Sequence, residues 1–526
     1  MRWFIRALWS GYITLTFSFF VQADQGSPAA LGKRIYHRGD GAQNPIRARL
    51  QGSDVDLPGD QFPCGNCHGS HGEGKSEGGL RPPSIAWRVL SQASTSISGR
   101  PAYDELSFRR AVRDGISSSG SKLNAGMPRY QMNDAQWAAV LSYLKIVGTD
   151  EDSDPGISAT AITIGAALPL SGSLAQIGAD VAATLRASFA AVNVSGGIYG
   201  RRLELALEDT HGTAVGALEA TRRLIETQRI FALVASAIPG NNNDIFDYVA
   251  QQEIPLIGPL VSARDTSTEQ NHYVFYLLPS FADQARVLVD YLMTQTAGGE
   301  KPKPNIAVVL DNTPSALDAL GGLKSQSESY GIKLATIQQF KVSQLVPDNG
   351  LSALVQAKPD CIFYFGEIGD LGKLVQRMQQ RGFQSPILSF ASSLGAGVFD
   401  LPGSTVSQLI LAHPTPLPSE ERFYKLSQLL LQSKARLNNP AFQALAYADA
   451  QIVIETAKRI GRRIDRLSLL EALDHLRDFD TDILPPLNFS ANERNGARGA
   501  AIVRIDPTKK VYLPVVDWRV PRNIIH

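Results

Sequence analysis

From Ala159 to the C terminus, short apolar runs alternate with stretches of helical period, and this rhythm restricts what the chain can fold into. The runs are ITIGAAL (162–168), LELALED (203–209), FALVASA (231–237), PLIG (255–258), NIAVVLD (305–311), CIFYFG (361–366) and PILSF (386–390). Runs this short and apolar read as buried strands, covered on both faces. Between them, VAATLRASFAAVN (181–193) and LGKLVQRMQQRG (371–382) place apolar residues along one helical face. Strand–helix alternation of this kind builds βαβ units, which means parallel sheets with helices on both faces. About 370 residues of it exceed one sheet's usual size, so two α/β lobes are expected. No repeat of solenoid period is visible.

The stretch from about residue 24 to 148 has another texture, rich in Gly, Ser and Arg. Residues 149–158, acidic and broken by Pro155 and Gly156, read as a linker. Inside the N-terminal stretch lies FPCGNCHG, with Cys64, Cys67 and His68 in C-x-x-C-H spacing. Two thiols on one helical turn can each add across a haem vinyl group, and the adjacent histidine then sits under the iron. The other uses of C-x-x-C fit less well. A redox dithiol gains nothing from the histidine, and a zinc site would need a second pair of ligands nearby. One covalent haem c is therefore expected, attached at Cys64 and Cys67 with His68 as the proximal axial ligand. After the initiator this stretch has two methionines, Met127 and Met132. Met127 in AGMPRY is favoured as the sixth ligand and Met132 is the alternative. A thioether opposite the imidazole saturates the iron and suits electron transfer over oxygen chemistry.

The N terminus carries Arg2 and Arg6, then an apolar stretch from about Ala7 to Val21, then a small-x-small step at Val21–Ala23. Residues 1–23 read as a signal peptide, with an uncleaved anchor as the alternative, and the mature protein is expected in the periplasm. The 51 basic and 50 acidic side chains nearly cancel, which argues against nucleic acid as a partner. Beyond the haem pair there is only Cys361, in an apolar run, expected to be a buried small hydrophobe.

Residues 24–148 resemble the class I cytochromes c, a small all-α fold. The resemblance rests on the first helix around Gly32–Tyr36, CGNCHG, the Pro82–Pro83 loop, GMP at 126–128, and a closing helix with Trp137 and Tyr143. It departs in one place: about 27 residues separate the first helix from Cys64, where the family has a few. From 159 to 526 the chain resembles the type I periplasmic binding proteins of the branched-chain amino-acid (Leu/Ile/Val) receptor group. The motifs are IGAALPLSGSLAQIGAD (164–180), VNVSGGIYGRRLELALEDT (192–210), IPLIGPLVSA (254–263), HYVFYLLPSFADQA (272–285) and NIAVVLD (305–311). That resemblance implies two lobes joined by crossing strands, the first over about 159–279 and 409–490, the second over about 280–408 and 491–526. A small solute would bind in the cleft between them.

The family's pocket residues carry over only in part. The turn holding the ligand carboxylate corresponds to AIPGNNND, with Pro239, Gly240 and Asn241 where serine is usual. Ser262 corresponds to the family's threonine after the fourth strand. The acidic partner of the ligand ammonium falls at Ala391, and the aromatic walls fall at Ile177, Ser315 and Glu367. An amino acid's charged ends need partners in a closed site, so the loss points away from leucine, isoleucine and valine. The expected function is a periplasmic electron carrier with solute-sensing or docking lobes, partnered by a periplasmic dehydrogenase or another cytochrome. The alternative is the substrate-binding component of an ABC-type uptake system working with a permease. No Ser/His/Asp set or phosphate loop is visible, and the chain reads as an electron carrier and binding protein, not an enzyme.

Overall fold

The structure is a computed structural model that describes residues 27–522, apart from residue 75 and the stretches 77–80, 95–98, 240–242, 263–270, 297–301 and 342–345. The signal-peptide reading of residues 1–23 and the pocket positions Gly240 and Asn241 lie outside the described residues. Among the described residues no helix is long and apolar enough to cross a membrane. The chain divides into two compact units, ending at Asp152 and beginning at Ser153.

In the first unit the helices Pro28–Arg38 and Asp134–Ile146 cross at their closest where Gly32 meets Ala139. A Cβ on Gly32 would overlap the Ala139 carbonyl, so only glycine permits this approach. Both helices are held by their ends: Ser27 caps the first, and Asn133 and Gln136 form a reciprocal capping box on the second. The expected all-α unit also carries a small antiparallel sheet. Arg47–Arg49 pairs with Leu57–Pro58 on one side and with Arg129–Gln131 on the other. The extra residues ahead of Cys64 therefore form a ribbon on the strand that follows Met127, anchored by buried Ile46 and Ala48.

The acidic stretch between the units does not hang free. Asp152 closes the first unit by pairing with Lys33 at 3.2 Å and accepting from the Tyr143 hydroxyl at 3.2 Å. Asp154 belongs to the second unit, where it accepts from the Arg466 backbone N–H at 2.6 Å.

The second unit has two sheets. The first is parallel throughout, ordered Arg202–Asp209, Ala161–Leu168, Ala232–Val234, Leu256–Ile257, Val274–Phe275. The second runs Leu334–Gln339, Ile306–Leu310, Cys361–Phe365, Ile387–Phe390, Leu409–His413, Ala500–Asp506, Val511–Arg519. Its first five strands are parallel and its last two antiparallel, a departure from the expected all-parallel sheets. Leu409–His413 lies in this second sheet, so the expected return to the first lobe at 409 is corrected to a point after His413. The physical reason is that its apolar side chains complete the parallel ladder beside Ile387–Phe390.

Strand pleating divides the second lobe's core in two. Ile306, Val308, Leu310, Phe363 and Phe365 point to one face, while Ala307, Val309, Ile362 and Tyr364 point to the other. Cys361 is 2% exposed inside the first of these layers, and burial pushes its thiol up to about 12. It is a core residue, as its apolar run implied. The helices Glu420–Gln432, Pro440–Ile460 and Arg466–Asp474 return to cover the first sheet.

Candidate haem-attachment site and solute cleft

Cys64, Cys67 and His68 share one short helix, Cys64–His68, which presents both thiols within a single turn. Two buried tyrosines fix this segment at its ends. The Tyr130 hydroxyl donates to the Phe62 carbonyl at 2.6 Å, just before it, and the Tyr36 hydroxyl donates to the Gly69 carbonyl at 2.6 Å, just after it. Burial pushes both phenols above their ordinary range, so each stays a donor. Sequence reasoning missed these two anchors. Their carbonyl partners lie 68 and 33 positions away, and nothing local signals the contact.

His68 is 7% exposed, with Nδ1 2.8 Å from the Pro83 carbonyl. A carbonyl can only accept, so Nδ1 carries the proton and Nε2 is left as the electron-pair donor. Burial holds the imidazole below its ordinary pKa, which keeps it neutral, the form able to coordinate a metal. Cys64 is half-buried, with its thiol pushed up to about 12 by desolvation, whereas Cys67 is exposed. Met127 and Met132 are both half-buried against the cluster that includes Cys64, Leu90, Phe108 and Trp137. His37 is otherwise engaged, with Nε2 2.9 Å from the Tyr143 hydroxyl and its ring between Tyr36 and Tyr143.

In the second unit a cleft of about 620 Å³ lies between the lobes. It sits at the carboxyl ends of the parallel strands, where open α/β sheets place ligands. Asp311, Glu367, Ala391 and His413 each stand at or just after the end of a second-lobe strand, and Ser262 follows a first-lobe strand. Ser262, Ser315, Glu367 and Ala391 thus share one lining. Ile177 does not. It stands in the first turn of the helix Ala175–Val194, and among the described residues the lining does not include it. That side of the cleft is built instead by Phe246 and by Phe442 and Leu445 of the helix Pro440–Ile460.

The walls are largely aromatic: Phe246 with Tyr276, Phe281, Phe365 and Phe390, then Phe442 and Tyr512. Phe365 and Phe390 stack at 5.0 Å, and Phe281 leans on Phe390 at 5.3 Å. Glu367 is exposed at the start of its helix, and its backbone carbonyl accepts from the Tyr364 hydroxyl at 2.7 Å. Asp311 is 3% exposed, and its Oδ1 accepts from the Thr313 N–H and hydroxyl at 2.9 and 2.5 Å. The His413 ring packs edge-on against Tyr512, with Nδ1 2.7 Å from the Thr415 carbonyl. Burial keeps this imidazole neutral too, with Nε2 as its acceptor. Asp449 lies two turns beyond Phe442 on the same helix, fully buried against Gly258. Neither of its carboxylate oxygens has a hydrogen-bond partner among the described residues, and burial pushes its pKa well above the usual carboxylate value.

The family model for periplasmic binding protein matches residues 161–510, and that for cytochrome c matches residues 61–147. This chain belongs to the periplasmic binding protein family and carries a cytochrome c domain fused ahead of the receptor fold. Among its relatives, Leu/Ile/Val-binding protein homolog 3 of Brucella melitensis biotype 1 is 22% identical over 329 residues, covering 61% of this chain and 85% of that protein. A fatty acid ABC transporter substrate-binding protein from Thermomonospora curvata has a TM-score of 0.56 at 19% identity, over 70% of this chain and 95% of the other. A branched chain amino acid ABC transporter from Thermus thermophilus, with bound valine, has a TM-score of 0.53 at 15% identity, over 70% and 98%. Likeness at these identities establishes a shared fold.

Proposed function

We propose that the mature protein is a periplasmic electron carrier with one covalent haem c, whose receptor lobes bind a small solute other than an amino acid. The observation that carries the reading is the Cys64–His68 helix, with buried His68 held by Pro83 so that Nε2 is the nitrogen left to coordinate. Cys64 and Cys67 attach the macrocycle, His68 is the proximal ligand, and Met127 is the distal one. When bound, the haem supplies a one-electron couple. Tyr36 and Tyr130 hold the two ends of the attachment helix, and Cys64 packs against the apolar cluster that includes Trp137. Fusion to a receptor raises the haem's effective concentration beside whatever the lobes recognise. That arrangement suits a partner to a periplasmic dehydrogenase or another cytochrome.

The solute reading is supported by Ala391 lining the cleft where the family places its acidic residue, so the family's own arrangement for an amino acid is not kept. Extraction with acidified acetone tests the first half: the haem should stay with the polypeptide, and complete extraction would refute covalent attachment. Calorimetric titration with leucine, isoleucine and valine tests the second. Dissociation constants of about millimolar or weaker are expected, since leaving a charged end unpartnered costs several kcal/mol. A micromolar constant for any of the three would favour an uptake receptor serving an ABC permease.

A further inference from the structure

Among the described residues the charged groups lining the cleft are acidic, beside hydroxyls such as Ser262, Thr313, Ser315 and Thr415 that can donate or accept. Its ionisable side chains are Asp311, Glu367, His413 and the two tyrosines, and among the described residues no lysine or arginine lines it. His413 is neutral with Nδ1–H committed to the Thr415 carbonyl, so it offers Nε2 as an acceptor. Asp311 is oriented by Thr313, whose N–H and hydroxyl both donate to its Oδ1. A ligand carboxylate or phosphate would meet two like charges and, among the described residues, no lysine or arginine, at a cost that grows as the cleft closes and excludes water. Ring faces around a desolvated space favour the opposite sign, because their negative quadrupole attracts a cation. The volume exceeds what an aliphatic amino acid fills and leaves ample room for a ring-bearing body.

We propose that the cleft takes an arylalkylammonium, an organic amine whose apolar body packs among Phe246, Phe365, Phe390 and Phe442 while its cationic nitrogen is met by Asp311, Glu367 and His413 Nε2. This rests on the reading of the lobes as a receptor for a solute other than an amino acid, and it names the class of that solute. The test uses the full-length haem protein and three probes of one size: 2-phenylethylammonium, 2-phenylethanol and phenylacetate. Calorimetry should rank the ammonium first, roughly tenfold or more tighter than the alcohol, with the acetate weakest. Glu367→Gln should weaken the ammonium severalfold and leave the alcohol unchanged, a split that loss of folding would not produce. Phenylacetate binding as well as the ammonium would overturn the proposal, and so would failure of the ammonium to bind to protein with an intact haem spectrum. Micromolar leucine binding would instead overturn the underlying receptor reading, so the two failures are distinguishable.

Discussion

Replacing Asp449 by asparagine preserves the side chain's shape and removes the one charge it can carry. In the folded protein the carboxyl is fully buried with no hydrogen-bond partner among the described residues, and burial pushes its pKa well above the ordinary value. In the unfolded chain it titrates near about 3.9. Because the folded-state pKa is the raised one, the folded protein holds a proton that the unfolded chain releases. The stability this contributes is complete below about pH 4 and is lost as pH rises toward the folded-state value. Each pH unit in that window changes stability by about 1.4 kcal/mol for one proton. As pH rises from 5 toward 7 the native chain should therefore lose stability that Asp449→Asn keeps. The native melting temperature should accordingly fall relative to that of the variant as pH rises. Differential scanning calorimetry of the full chain, native and variant, at pH 5, 6 and 7 reads this directly. Melting profiles that run parallel with pH would refute the argument, since they would mean that Asp449 gains no proton on folding.

Met127→Ala should abolish the long-wavelength thioether-to-iron charge-transfer band and lower the reduction potential, while Met132→Ala keeps the band; the reverse pattern would move the distal ligand to Met132. Gly32→Val drives a branched side chain into the Ala139 carbonyl, and should cost the first unit at least about 3 kcal/mol or prevent its folding, read from thermal unfolding followed at the Soret band.

What the sequence disclosed tracks how local each signal was. The strands at 306–310 and 361–365 were legible because both faces are buried, so every residue in them is apolar. Leu334–Gln339 escaped the same reading because it is an edge strand with alternate residues exposed. Ala500–Asp506 and Val511–Arg519 form an antiparallel hairpin, outside a pattern that anticipated strands joined by helices. The haem motif was legible because its three reactive groups lie within five residues. The solute cleft was not: Phe246, Asp311, Phe390, His413 and Phe442 come from separate elements, and no short stretch places them together. Asp449 in YADAQIV reads as one polar position on a helix, and its isolation follows only from the packing of that helix against Gly258.

The same separation governs what the relatives can say about this chain. Its receptor fold is specified by residues that alternate between two core layers, such as Val308 with Phe363 on one face and Val309 with Tyr364 on the other. Those positions tolerate exchange of one large apolar side chain for another, so the fold persists at 15–22% identity. At the strand ends Asp311, Glu367, Ala391 and His413 stand outside the ladders, where a side chain can change without disturbing them. A receptor scaffold can then keep its architecture while its ligand changes charge and size, and the fold alone does not transmit the ligand.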